Sequence, residues 1–323
     1  MDRRRFVGAG VCGALLLPLV ANAQSRAKIA RLGVLAGSPR LAQGNTSMIA
    51  ERLGELGYVE GRNLIIDHRY AESEERLQEL ASQLVATGSQ VIYANGPYAL
   101  RAARAASAII PIVGFDHETD PVAAGYAASL ARPGGNVTGA FLDQSEISAK
   151  QLQLLRELVP GLTRVAVLLD AAVASAQRES VEVAAKRLGV TVAPIVWRGP
   201  DTLPAALASA TQDGARGLIV LSSPRIHEQG NRRLVADAAL KRHLPAIGML
   251  NFARDGLLIT YGPVQKDMLR SAANLVAKIL EGARPADLPI ERPVRFELVI
   301  NLRTAKALGL TIPQSLSGAE TIP

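Results

Sequence analysis

Apolar positions along this chain alternate between short continuous runs and helical spacing. Ile29-Ala30-Arg31-Leu32-Gly33-Val34-Leu35 reads as a strand, and helical spacing follows through Met48, Leu53 and Leu56, closed by Gly57. Asn63 to Arg69 predicts a second strand, Arg76 to Thr87 a helix and Gln90-Val91-Ile92-Tyr93-Ala94 a third strand. Ala99 to Ser107 predicts a helix and Pro111 to Phe115 a fourth strand. A helix is then expected from Pro121 to Leu130, before a glycine-rich corner at Pro133-Gly134-Gly135.

The same alternation starts again at Arg164 to Leu169, a nearly unbroken apolar strand of the kind covered on both faces of a parallel sheet. Helices are expected at Ala174–Leu188, Leu203–Asp213 and Gly230–Arg242, with strands at Thr191–Val196, Gly217–Leu221 and Ala246–Leu250. Strands alternating with helices of this length predict βαβ units. Two series meeting near Gly135–Asp143 predict two similar lobes. The remainder differs in pattern: a strand at Gly256–Tyr261, a long helix at Val264–Leu280, a strand at Phe296–Ile300 and a short helix at Leu302–Leu308. It is expected to cross back over both lobes. The predicted division is a first lobe over 29–140 with about 254–285, a second over 141–253 with about 286–313, and a tail at 314–323.

Residues 1–23 follow another logic. Arg3, Arg4 and Arg5 precede a short apolar run from Phe6 to Val20, and Ala21-Asn22-Ala23 closes it, the three parts of a secretory signal peptide. Arg3-Arg4-Arg5-Phe6-Val7 also resembles a twin-arginine export signal. Cleavage after Ala23 is expected, giving a mature protein that works outside the cytoplasm and is not inserted in a membrane. Gly8, Gly10 and Gly13 match a dinucleotide-binding fingerprint, but no strand precedes them and the leader is discarded. Cys12, the chain's lone cysteine, also lies in the leader; most of the apolar run follows it, unlike a lipoprotein signal. The mature chain therefore has no thiol chemistry and is held by its core.

The formal charge is +7, and the leader's three arginines against Asp2 account for two of it, leaving +5 on the mature chain. Basic residues are scattered and aromatics do not interleave with them, so nucleic-acid binding is not expected. His68, His117, His227 and His243 are far apart, with no metal-ligating spacing, and neither a phosphate-binding loop nor a nucleophile elbow is present. No catalytic set, metal or cofactor is expected. Asp116, His117, Glu118 and Asp120 cluster at a strand end, where Asp120 before Pro121 reads as a helix cap.

Ligands of open α/β sheets sit outside the carboxyl ends of the strands. Those ends carry Ser38, Asn95 and Gly96, Phe115 and Asp116, Asp170, Ser222 and Ser223, and Met249 and Asn251. Hydroxyls, amides and isolated carboxylates facing one another suit a small polar molecule, and Asp116 and Asp170 suit an ammonium group.

Several stretches also carry a family resemblance: Leu56-Gly57-Tyr58-Val59-Glu60-Gly61-Arg62-Asn63, Asp120-Pro121-Val122, Leu130 to Gly139 with its Arg-Pro-Gly-Gly-Asn-Val-Thr-Gly run, and Phe296 to Leu302 with Thr304-Ala305-Lys306. From about Ile29 to Pro313 the chain resembles the solute-binding proteins of ABC transporters, in the group that includes tryptophan/tyrosine-binding proteins. The resemblance implies a type I periplasmic binding fold: two Rossmann-like lobes with parallel sheets joined by a multi-strand hinge, closing on a ligand that is passed to a membrane permease. A monomer is expected, in the periplasm to which the leader directs it. Asn95-Gly96-Pro97 stands where the family often carries a Thr-Pro pair. Alternatives on the same fold are a sensor signalling to a receptor and an extracytoplasmic enzyme. A transcription regulator would need a helix-turn-helix where this chain has an export signal.

Overall fold

A computed structural model describes residues 29–37, 39–71, 73–142, 144–173 and 175–323. The first lobe is built from β1 (Ala30–Ala36), α1 (Pro39–Glu55), β2 (Leu64–Tyr70), α2 (Glu74–Ala86), β3 (Val91–Asn95), α3 (Pro97–Ala106), β4 (Ile112–Asp116) and β5 (Val137–Phe141). Its strands are all parallel, in the order β2-β1-β3-β4-β5. The second lobe follows with α4 (Gln144–Leu158), β6 (Arg164–Leu169), α5 (Ser175–Leu188), β7 (Thr191–Val196), α6 (Leu203–Gln212), β8 (Leu218–Val220), α7 (Gln229–Lys241), β9 (Ala246–Gly248) and β10 (Ile259–Pro263). Then α8 (Gln265–Leu280) returns to the first lobe, and β11 (Phe296–Asn301), α9 (Leu302–Ala307) and β12 (Glu320–Ile322) return to the second. The second sheet runs β12-β11-β10-β9-β8-β6-β7, with β11 antiparallel to β10.

Alternation along each strand explains the layering. Leu32 and Val34 of β1 share a core with Ile49, Leu53, Leu269 and Val276, while Leu35 shares the opposite core with Leu77, Leu84 and Leu100. In β6, Val165 and Val167 join one core and Ala166 and Leu168 the other. Strands buried on both faces must be apolar at nearly every position, and each such side chain contributes roughly 1.5–3 kcal/mol of transfer free energy. Gly139 lets β5 pair with β4: at φ +153° a Cβ on it would lie 2.0 Å from Gly114 O.

The chain crosses between lobes after Phe141, at Pro263–Gln265 and from Glu291 to Phe296. The crossings pair with each other: Phe141 N donates to Glu291 O at 3.0 Å, and Val264 N to Arg295 O at 3.0 Å. Arg295 also clamps Asp267 at 2.5 Å. This is a three-strand hinge.

Several expectations need correction. No helix forms from Pro121 to Leu130; hydrogen-bonded turns end at Gly125, whose φ of +70° breaks helical geometry. The corner near Gly135–Asp143 instead contains the fifth strand, and α4, unanticipated, opens the second lobe by burying Ile147, Leu152, Leu155 and Leu158. β10 belongs to the second sheet because it pairs with β9 and β11, so the first lobe regains the chain at Val264 and not near 254. It keeps the chain past 286, since Ile290 packs in its core and Leu288 O accepts from Thr138 Oγ1 at 2.9 Å. The 314–323 segment is no separate tail; β12 pairs with β11. The leader, including Cys12, lies outside the described residues. Among those described, no helix is long and apolar enough to cross a membrane.

Candidate functional site

In each sheet the strand order reverses its direction of growth once, between β1 and β3 in the first lobe and between β6 and β8 in the second. Side chains at these switch points and their neighbours have no helix above them on the carboxyl side, which leaves a crevice. The two crevices meet. The Ser222 hydroxyl, just past β8, donates to Glu118 Oε1, just past β4, at 2.5 Å. The guanidinium of Arg225 lies 5.9 Å from the ring centre of Tyr98 on α3.

On the first-lobe side, Asp116 closes β4 and is fully buried. Its Oδ1 accepts the backbone N–H groups of Glu118 at 2.8 Å and Thr119 at 3.2 Å, an Asx turn that bends the chain off the strand. Burial pushes Asp116 above the usual carboxylate range although these N–H groups pull it down. Glu118 is pushed well above that range by burial and by the charge of Asp116 beside it. Two carboxyls this close in a low-dielectric site cannot both ionise. Asp116 keeps the backbone donors and is the charged partner; Glu118 holds the proton.

Two histidines complete the buried cluster. His117 tilts against Phe115 at 4.9 Å between ring centres, and His227 meets Phe252 edge-on at 5.5 Å. Burial lowers His117 to about 4. Burial, then the nearby His117 and Arg232, lowers His227 to about 3. Both are neutral at physiological pH. Arg232 fixes the His227 turn from behind, donating to its carbonyl and pairing with Asp255 at 2.5 Å.

On the second-lobe side, Asp170 at the end of β6 accepts from Ser223 Oγ at 2.9 Å and Ala172 N at 3.1 Å, with Arg225 at 4.0 Å. Gln177 of α5 holds the other serine: its Nε2 donates to Ser222 O at 3.1 Å and its Oε1 accepts from Ser222 N at 2.8 Å. Tyr98 is raised by burial and by the charge of Asp170. Asp116 Oδ2, His117 Nε2, His227 Nε2 and Tyr98 OH are buried and meet no amide or hydroxyl donor and no other ordinary hydrogen-bond partner. A small cavity of about 50 Å³ adjoins, lined by Glu118, Thr119, Asp120, Phe141 and Arg292.

The residues expected from the pattern divide. Asp116, Asp170, Ser222 and Ser223 are buried in this group. Asn95 is half-buried at the end of β3, where its Oδ1 accepts from Asn45 Nδ2 at 3.4 Å, and Asn45 in turn accepts from Gln265 of α8 at 3.0 Å. Gly96 (φ +92°) starts α3 and donates its N–H to Phe115 O at 2.8 Å. Phe115 and Met249 are packed in the α1/α8 core. Asn251 is exposed on the turn after β9, and Ser38 lies outside the described residues. The pattern passed over Glu118, Tyr98, Gln177 and His227. The acidic run 116–120 was the visible signal for Glu118. Asp120 does serve as a cap, accepting Val122 N at 2.9 Å, but of a turn. Among the described residues no group of His, Cys, Asp and Glu is placed to hold a metal ion.

Comparison with known proteins agrees with this layout. The chain is 27% identical over 270 residues to the tyrosine-binding protein of Clostridioides difficile (strain R20291), covering 80% of this chain and 74% of that one. Two solved structures share the fold. An ABC domain in complex with L-Trp from Streptococcus pneumonia has a TM-score of 0.82 at 24% identity, covering 91% of this chain and 99% of that one. A conserved domain protein from Vibrio cholerae has a TM-score of 0.83 at 24% identity, with the same coverage. A family model described as ABC transporter substrate binding protein matches residues 40–321, nearly all of the two-lobed body, and the chain belongs to that family.

Proposed function

We propose that the mature protein is an exported, periplasmic, monomeric solute-binding protein that closes on a small organic molecule of the amino-acid class and delivers it to an ABC permease. One observation carries the reading: buried polar atoms without partners converge from both lobes, at Asp116 Oδ2, His117 Nε2, His227 Nε2 and Tyr98 OH. Buried polar groups are costly when unsatisfied, and a ligand bearing complementary donors would supply the missing bonds. Asp116 and Asp170 offer carboxylates to an ammonium group. The hydroxyls of Ser222 and Ser223 donate to carboxyls and not to a histidine base, which supports capture without turnover. The tyrosine-binding relative supports the amino-acid class.

Thermal denaturation of the protein lacking residues 1–23, against a broad panel of amino acids and related metabolites, tests it. The expected result is a melting temperature that climbs with the concentration of at least one member, as mass action requires. No shift across the panel overturns the proposal.

A further inference from the structure

We infer that the end of the second lobe opposite the cleft is a basic face that rests on an anionic phospholipid bilayer, holding the protein beside the membrane while its cleft stays free. The inference goes beyond the solute reading and uses only the periplasmic placement proposed with it.

The basic residues are scattered in the chain, and the fold gathers them. In a parallel βαβ lobe every strand starts at one end and every helix finishes there. In the second lobe those finishing turns carry Arg156 on α4, Lys186 and Arg187 on α5, and Lys241 and Arg242 on α7, all exposed. The strand starts add Arg164 on β6 and Arg216 just before β8, drawn together by the bond from Arg216 N to Arg164 O at 3.0 Å. Because β11 runs antiparallel to β10, α9 opens at the same end and brings the exposed Arg303 and Lys306.

This face is not neutralised. Among the described residues none of these side chains is ion-paired, and Arg164 Nε is buried without a hydrogen-bond partner. The acids in the same turns are Glu157, which accepts from Ser315 Oγ at 3.1 Å, and Asp213. Asp255 and Glu320 are already paired with Arg232 and Arg254. Bases at helix C-termini also complement the macrodipole, but that effect would serve both lobes alike. The first lobe's matching end is mixed: Arg52 pairs with Glu55 at 2.6 Å, α2 has no base in its last turn, and Glu60 and Glu281 stand among the rest.

The composition of the face selects a bilayer. Protein interfaces are anchored by aromatic side chains, and single-stranded nucleic acid stacks on them. These turns and strand starts hold no Phe, Tyr or Trp, and Leu302 is their one exposed large hydrophobic residue. Spread point charges without apolar anchors suit anionic headgroups met at the surface, without insertion. The cleft lies at the carboxyl ends of the strands, the other end of this lobe, so adsorption leaves it open.

The test is co-sedimentation of the protein lacking residues 1–23 with two kinds of vesicle in low salt: phosphatidylcholine alone, and phosphatidylcholine with an equal share of phosphatidylglycerol. Each Lys or Arg near an anionic surface strengthens binding about five-fold. Binding is expected to the anionic vesicles alone, and to vanish in about 1 M NaCl, where the screening length is about 3 Å. Lys241→Glu with Arg242→Glu, and separately Lys186→Glu with Arg187→Glu, are each expected to weaken it at least about 25-fold. Arg31→Glu with Arg62→Glu, at the matching end of the first lobe, should leave it unchanged. The wild-type lipid and salt dependence decides the matter even where a pair fails to fold. Equal binding to both vesicles, binding to neither, or equal losses in the first-lobe and second-lobe pairs overturns the inference. The solute reading is judged by its own melting shifts and stands or falls apart from this result.

Discussion

Ser222 and Glu118 are 104 positions apart in the chain and 2.5 Å apart in space, joining the carboxyl end of β8 in one lobe to that of β4 in the other. A hydroxyl–carboxyl bond here is a direct tie across the cleft. Ser222→Ala removes the donor and leaves Glu118 Oε1, on a part-buried side chain, without one, at a cost of about 1 kcal/mol. The unliganded variant is expected to open: small-angle scattering should give a larger radius of gyration than wild type, with a lower urea midpoint. Ser222→Thr keeps the hydroxyl and should behave as wild type. Equal scattering curves for the alanine variant and wild type would show that the tie does not hold the lobes.

The serine is itself positioned by Gln177, whose side-chain amide makes two bonds to the Ser222 backbone and is fully buried. This amide stands in for the next strand residue that β8, only three residues long, lacks. Gln177→Ala orphans a backbone N–H and a backbone carbonyl together, and the expected loss is about 2–4 kcal/mol in urea unfolding. Gln177→Glu keeps the acceptor for Ser222 N–H but loses the donor to Ser222 O, and should fall between. A loss below about 1 kcal/mol for the alanine variant would mean water replaces the amide.

Much of this architecture was written in local pattern, and the exceptions have physical causes. Strands such as β6 announce themselves because both faces are covered, so every position after Arg164 is apolar. β5 hides because Val137-Thr138-Gly139-Ala140-Phe141 trades bulk for the close approach of Gly139 to Gly114. The lobe assignment of β10 depends on its hydrogen-bonding neighbours, and Ile259-Thr260-Tyr261 would alternate identically in either sheet. At the site, carboxyl ends of strands were a sound guide to Asp116, Asp170, Ser222 and Ser223. They could not show that Phe115 and Met249 turn into the core, nor that Tyr98 and His227 face each other's lobe, because those facts belong to lobe closure and not to any one segment.

Gly139 carries a prediction of its own. A Cβ there would lie 2.0 Å from Gly114 O and 2.7 Å from Gly114 N, both backbone atoms held in the β4–β5 ladder. No side-chain rearrangement relieves that clash, and the φ of +153° adds strain for any L residue. Gly139→Ala is expected to cost more than about 4 kcal/mol and to reduce soluble yield sharply, whereas Gly54→Ala, on the surface of α1 with open space around it, should be neutral or slightly stabilising. Circular dichroism melts of the two variants separate steric exclusion from a general intolerance of glycine replacement.

Acid stability should report the buried cluster with a defined sign. His117 falls from 6.5 to about 4 on folding, and His227 from 6.5 to about 3. A depressed histidine contributes stability that is present above about 6.5 and lost as pH falls through its folded value, because the unfolded chain takes up the proton first; for His117 this is about 3 kcal/mol. Glu118 works the other way. Raised well above 4.5 by burial and Asp116, it is protonated in the folded protein where the unfolded chain is ionised, so its contribution grows as pH falls toward 4.5. The two effects overlap between pH 6.5 and 4.5 and flatten the wild-type profile. Substitution separates them. His117→Gln with His227→Gln should gain relative stability on acidification through this window, and Glu118→Gln should lose it more steeply than wild type. Urea midpoints taken across pH 7 to 4.5 check both slopes at once, and parallel profiles for the three proteins would show that neither the histidines nor Glu118 is buried in the folded state in solution.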